Sequence, residues 1–178
     1  GTAALLSIVI GIPLGIFCST RPRFYAFIRP IMDFMQTMPA FVFMIPVIAF
    51  FGTGKVAAVI ITMIFGGTPV VRLTVLGLKG VPQNIREAAI AYGASKWYLL
   101  SKVDIPLAMP TILAGVNQTV MLSLAMVVVA SLIGAKGLGQ DVLEALQYAN
   151  VGQGILAGIA ILFVALLLDR IVQGKKRV

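Results

Sequence analysis

The sequence holds little with which to make or break a covalent bond. It has no histidine and one cysteine, Cys18, inside an apolar run. That argues against a zinc site or a Ser-His-Asp arrangement, and Cys18 reads as a small buried hydrophobe. No phosphate-cradling Walker A loop occurs. The chemistry that residue spacing does offer is recognition. In residues 84–93, NIREAAIAYG, Ile85, Ala88, Ala89 and Tyr92 fall at i, i+3, i+4 and i+7, one apolar stripe of a helix. Two small alanines between larger residues suit a helix laid in another protein's groove. An ordinary amphipathic loop helix is the alternative. Asn84, with Glu87 three residues on, reads as a capping box, and Gly93 ends the helix in the left-handed conformation. Arg86 and Glu87 lie off the stripe. A helix this short is marginal in water, so something must hold it.

The elements around that helix are oily. Of 178 residues 60% are hydrophobic and 11% are charged, where a soluble domain has about 25% charged. An integral membrane protein of all-α class follows. The net charge of +8 does not imply nucleic acid, because the basic residues flank apolar runs and do not interleave with aromatics. The partner surface is the lipid bilayer. Five uncharged runs are long enough to be spans: residues 2–19, 34–54, 56–71, 112–133 and 154–168. The third extends to Leu76 if Arg72 snorkels, and the fifth extends upstream through Val151 before Asp169 and Arg170 close it. The chain begins at Gly1, not Met, which predicts a fragment lacking its N-terminal region.

Local signals add detail. Gly11, Pro13 and Gly15 should loosen the first span, and Pro22 and Pro30 should break the helix that follows. Pro39 and Pro46 sit inside the second span, where neighbours must satisfy the freed backbone. Asp33 should pair with Arg29 at i−4. Gly52, Gly54 and Lys55 make a turn, and Gly66, Gly67 and Pro69 predict a kink or a close helix contact. Asn117, Met121 and Ser123 are candidates for lining a route for a polar solute. Gln118 and Thr119 read as interhelical hydrogen-bonding groups, worth about 0.6 kcal/mol each. No Asp, Glu, Lys or Arg falls near the middle of a span, which disfavours ion-coupled transport.

If the runs alternate, one side of the membrane receives Arg21, Arg23, Arg29, Arg72, Lys79, Arg86, Lys96, Lys102, Arg170, Lys175, Lys176 and Arg177. The other receives only Lys55 and Lys136. The basic side is expected to be cytoplasmic, with the start of this chain outside and its C-terminus inside.

Glu87-Ala88-Ala89, Gly93 six residues after Glu87, and Ile105-Pro106-Leu107 resemble the EAA loop of ABC-importer inner-membrane permeases. The tail, Ile105 to Pro110, departs slightly from that pattern in where its prolines fall. Further strings are similar to permeases of the glycine betaine/proline betaine osmoprotectant type. They include Arg29 to Asp33, Met35 to Phe41, Arg72-Leu73-Thr74, Ala114 to Thr119, Gly137-Leu138-Gly139 and Leu168-Asp169-Arg170.

The resemblance implies a single permease domain over 1–178, the five-helix core of a type I importer, in a bacterial inner membrane. Residues 84–93 would be its cytoplasmic coupling helix, with Ile85, Glu87, Ala88, Ala89, Tyr92 and Gly93 at the ATPase contact. It implies alternating-access import of quaternary ammonium osmoprotectants. Choline, carnitine or methionine are the alternative solutes. No cofactor would be bound by this chain; ATP and Mg²⁺ would be used by two partner ATPase subunits. A second permease copy, most simply a homodimer, and an extracytoplasmic substrate-binding protein complete the expected partners. That binding protein could dock on the loop over residues 134–152, where Asp141, Glu144, Gln147 and Tyr148 share a face. Val142, Leu143 and Leu146 would pack down on the bundle. The aromatic residues of the spans are phenylalanines, and the only Trp is Trp97 in the loop. A cation–π cage for a trimethylammonium group is therefore not expected in this chain.

Overall fold

The computed structural model describes residues 2–173, the last two by backbone alone. Every regular element among them is helical. The order is α1 (Thr2–Thr20), α2 (Pro22–Thr37), α3 (Ala40–Phe51), α4 (Lys55–Lys79), α5 (Gln83–Ala91), α6 (Lys96–Tyr98), α7 (Ile105–Leu132), α8 (Leu138–Gln147) and α9 (Val151–Gln173). A π-helical turn, Leu99–Asp104, joins α6 to α7, so that Lys96–Leu132 runs without a break.

The core forms where α4 passes between α1 and α7. Lipid gives helices no hydrophobic reason to associate, so close packing of small residues must do it. Gly15 of α1 lies so near α4 that a Cβ there would sit 2.6 Å from Thr74 Cβ. Gly115 of α7 closes from the other side, with Leu73 Cβ at 2.9 Å from the same imagined atom. Gly11 and Gly15 therefore do not loosen α1, which is continuous through Pro13; they are its contact face. Around this seam Val70 and Val71 bury with Met32, and Leu78 buries with Ala108 and Ile112.

The second span differs from the single helix expected. Pro22 does not break a helix but starts α2, and Pro30 lies within it. The break comes at Met38, which is held extended (φ −78°, ψ 138°) because Pro39 disfavours the α region for the residue before it. The axes of α2 and α3 differ by 104° there. At 1.5 Å per residue neither piece reaches the roughly 30 Å of a hydrocarbon core alone. Among the described residues four helical stretches are long and apolar enough to cross: α1, α4, Lys96–Leu132 and α9, with the bent pair α2–α3 a fifth if it counts as one span.

Asp33 makes the expected ion pair with Arg29, Arg29 Nε to Asp33 Oδ2 at 3.8 Å, and has a second partner that sequence spacing did not indicate. Arg72 Nη2 on α4 donates to Asp33 Oδ1, and its Nη1 donates to Gln36 Oε1 at 3.2 Å. Arg72 ties α2 to α4 and does not simply snorkel, and α4 continues to Lys79. The expected turn at residues 52–54 forms, and Gly54 N–H donates to Ile133 O at 2.7 Å. That bond puts Lys55 and Lys136 at one end of the bundle, where both line one cavity. At the other end Arg21 covers the Phe17 ring and Lys79 covers the Tyr25 ring. The upstream start of α9 at Val151 is as expected; Lys175, Lys176 and Arg177 lie outside the described residues.

Candidate functional site

α5 starts one residue earlier than a capping box would have it. Pro82 is the N-cap, its φ of −58° preset by the ring, and Ile85 N–H donates to its carbonyl at 3.2 Å. Asn84 sits inside the helix and accepts only from the adjacent Ile85 N–H. Glu87 does not reach back to a backbone donor, because Gln83 Nε2 holds its Oε1 at 2.9 Å. The far end is as expected. Gly93 has φ +83°, its N–H donates to Ile90 O, and Ala94 N–H donates to Ala89 O, which together make a Schellman ending.

Between these ends α5 buries no residue. Tyr92 is 95% exposed, Ile85, Ala88 and Ile90 are exposed, and Ala89 is half-buried. The stripe therefore has no partner within the described residues. An open groove beside it is lined by Ala89, Tyr92, Gly93 and Tyr98, with Ser95 capping the start of α6.

What holds α5 is on its other side. Arg86 Nε donates to Asp104 Oδ1 at 2.7 Å, and Arg86 Nη2 donates to Leu78 O at 2.8 Å. Leu78 lies in the last turn of α4, where carbonyls have no helical partner. Asp104 is the last residue of the π-turn, and its side chain is 8% exposed. Hydrogen bonds to charged groups are worth about 1.5–3 kcal/mol, a large contribution for a helix of nine residues. The π-turn itself has a cause. Pro106 lacks an N–H and its ring would strike the carbonyl four residues back in an α-helix. The wider turn, with Ile105 N–H bonded to Leu100 O, relieves that contact. Sequence reading left Arg86 as an off-stripe charge and gave Asp104 no role. The available signal was that Asp104 is one of only six acidic residues and opens a long uncharged run.

The three solute-route candidates do not converge. Asn117 and Met121 share a face of α7, with the Asn117 Oδ1 buried and without a hydrogen-bond partner and Met121 exposed. Ser123 faces elsewhere, toward Gly66, and lines the cavity between α1, α4, α7 and the start of α8. Lys55, Thr62 and Lys136 also line it, and no lining residue is aromatic. Gln118 and Thr119 make no interhelical bond: Gln118 is exposed, and Thr119 Oγ1 is buried without a partner, as are the hydroxyls of Ser7, Thr74 and Ser123. Small residues bring these helices too close for a bridging side chain.

At the same end α8 packs on α7 and α9 through Ala145 and Gly139. A Cβ on Gly139 would enter the Val127 carbonyl. Leu146 does not pack down; it is 71% exposed, because the small residues already close the contact. Asp141 and Tyr148 are exposed, whereas Glu144 is half-buried and accepts from Gln140 Nε2.

Comparison with known proteins follows the same lines. Residues 11–174 match the family described as binding-protein-dependent transport system inner membrane component. The chain is 49% identical over 176 residues to the glycine betaine/proline betaine transport system permease protein ProW of Escherichia coli (strain K12), covering 99% of this chain and 50% of that protein. It is 48% identical to the glycine betaine transport system permease protein OpuAB of Bacillus subtilis (strain 168), covering 98% of this chain and 62% of that protein. The glycine betaine/carnitine transport permease protein GbuB of Listeria monocytogenes is also 48% identical, with 97% and 61% covered. The chain thus spans about half to three fifths of the length of these relatives. In three dimensions it is similar to an inward-facing structure of the MetNI methionine ABC transporter, with a TM-score of 0.83 at 22% identity, covering 99% of this chain and 90% of that one.

Proposed function

We infer the function from one premise: the chain belongs to the family of binding-protein-dependent transport system inner membrane components. It is a multi-pass α-helical membrane protein with the fold of an importer permease. On that footing it is the permease part of an ATP-driven importer that moves glycine betaine- or proline betaine-type solutes into the cytoplasm by alternating access. Relatives near half identity carry those solutes in their names. Carnitine and trimethylamine N-oxide, in the names of others, define the range of quaternary or fully methylated ammonium chemistry to be tested. Methionine enters only through a shared fold.

The observation that carries this reading is α5: an apolar stripe with no cover, ended by a left-handed glycine and fastened from behind. In water such a stripe needs a protein groove, and an ATPase subunit supplies it. The α5 end is then cytoplasmic, in keeping with the twelve-to-two division of basic residues. Two permease copies, two ATPases and an external binding protein make up the working unit. Selectivity is held mainly by the binding protein, since no aromatic cage lines the cavity here.

The test is uptake of radiolabelled glycine betaine by cells carrying the whole system. Excess unlabelled proline betaine should compete and methionine should not, and uptake should stop when ATP is depleted. Competition by methionine alone would reject the substrate class, and uptake without ATP would point to a channel.

A further inference from the structure

The reading of α5 as an ATPase-docking helix leaves open how its movement reaches the membrane. Resting on that reading, we propose that Arg86 is the positioning residue that makes this link, with Asp104 as its required partner. One guanidinium joins three elements: it sits on α5, binds the carboxylate at the head of the α7 span, and binds an orphan carbonyl in the last turn of α4. Those two helices form the central packed pair of the bundle. A push on α5 is thereby delivered to both at their shared end.

Little else could deliver it. No residue of α5 is buried, and its connections to α4 and α6 contain Gly80 and Gly93, which resist bending poorly. Among the described residues Val81, buried in the turn before α5, and the packing of α5 along the π-turn are the other anchors. The planar, two-pronged guanidinium fixes direction as well as distance, which a lysine ammonium does not. Arg86 also points away from the docking stripe, so its loss leaves the docking face chemically unchanged.

The experiment uses the complete transporter, with full-length permease, ATPase and binding protein, in proteoliposomes. It measures ATPase co-purification, ATP hydrolysis and solute accumulated per ATP for Arg86→Gln, Asp104→Asn, the double variant and Arg86→Lys. Each single neutral variant should keep the ATPase bound and hydrolysing while solute per ATP falls about tenfold, the equilibrium worth of one charged hydrogen bond. The double variant should be no worse than Arg86→Gln alone, because that variant already breaks both bonds and Asp104→Asn breaks only one of the same two. Arg86→Lys, which keeps the charge but loses the fork, should fall between.

A wild-type ratio of solute to ATP in Arg86→Gln overturns the proposal, and so do two singles whose effects multiply in the double. If Arg86→Gln fails to reach the membrane, Arg86→Lys carries the test, and an unchanged ratio there overturns the proposal too. Ala89→Trp serves as the control for docking. If it still binds ATPase and imports normally, the docking reading fails; if it is inactive while the Arg86 variants couple normally, only the tether fails.

Discussion

α4 and α5 are separated by three residues and follow opposite rules. More than half of the apolar window of α4 is buried within the chain, and nothing in α5 is. α4 is held by the closeness of its neighbours, where Gly11, Gly15 and Gly115 bring whole helices against it. α5 is held by directed bonds from one side chain to two groups. The contrast teaches where exposure carries information. α9 is only 6% buried over its window, yet its exposed leucines need nothing beyond lipid. The few exposed apolar residues of α5 lie next to charged and polar ones at the end of the bundle, where the proposed reading has an ATPase subunit cover them.

The comparison breaks most completely at the seam. Gly15→Leu places a side chain against the Val71 carbonyl and Thr74, so relief by rotamer change is blocked. Overpacking costs about 1–3 kcal/mol and more where backbone is struck. The variant should be depleted from the membrane fraction, or should melt well below wild type in detergent. A normal melting temperature would mean that α1 does not seat on α4 as described. A change at the C-cap of α5 should leave the fold alone. Tyr92→Ala removes an almost fully exposed ring, so melting should stay within about 0.5 kcal/mol of wild type. Affinity for the ATPase should nevertheless drop by about 2 kcal/mol if the ring is an interface anchor. Pull-down across a concentration series measures this, and undiminished binding would remove Tyr92 from the interface.

The smallest effect is expected at the opposite end. Asp141→Lys with Glu144→Lys reverses the acidic residues of α8, where exposed pairs are worth about 0–1 kcal/mol. Docking of the binding protein should weaken at low salt and recover at high salt. Because Glu144 is already held by Gln140, most of the change should come from Asp141. Transport at the wild-type rate across the salt range would move the docking face elsewhere.

Much of this was legible because it is local. The stripe of Ile85, Ala88, Ala89 and Tyr92 and the left-handed Gly93 depend on neighbours within seven residues, and sequence spacing shows them directly. The four long helices follow from hydropathy. The elbow at Met38 was not legible, since a hydropathy run is blind to direction even though Pro39 marks the place. Nor was the Arg86–Asp104 pair, which is set by how two distant turns fold over the end of α4. The Arg29–Asp33 pair was legible because it is four residues apart, but the second bond to Asp33, from Arg72 across the bundle, was not. Asn117, Met121 and Ser123 were grouped by position in the span, whereas the helix keeps Asn117 and Met121 on one face and turns Ser123 to another.

The π-turn at Leu99–Asp104 makes the chain between α5 and the α7 span a measured spacer. It carries one residue more per turn than the helices on either side. Each residue of an α-helix advances the phase by about 100°. In the wider turn each residue advances the phase by less, so the extra residue is absorbed within it. Deleting one residue and closing the turn to α-helical geometry would therefore leave the stripe and Arg86 facing nearly as they do now. A residue added with no further widening to absorb it would instead swing them by about 100° about the axis of α7 and away from Asp104. Length in this segment is thus restrictive in one direction: a removal can be taken up by the turn, whereas an insertion changes where α5 looks.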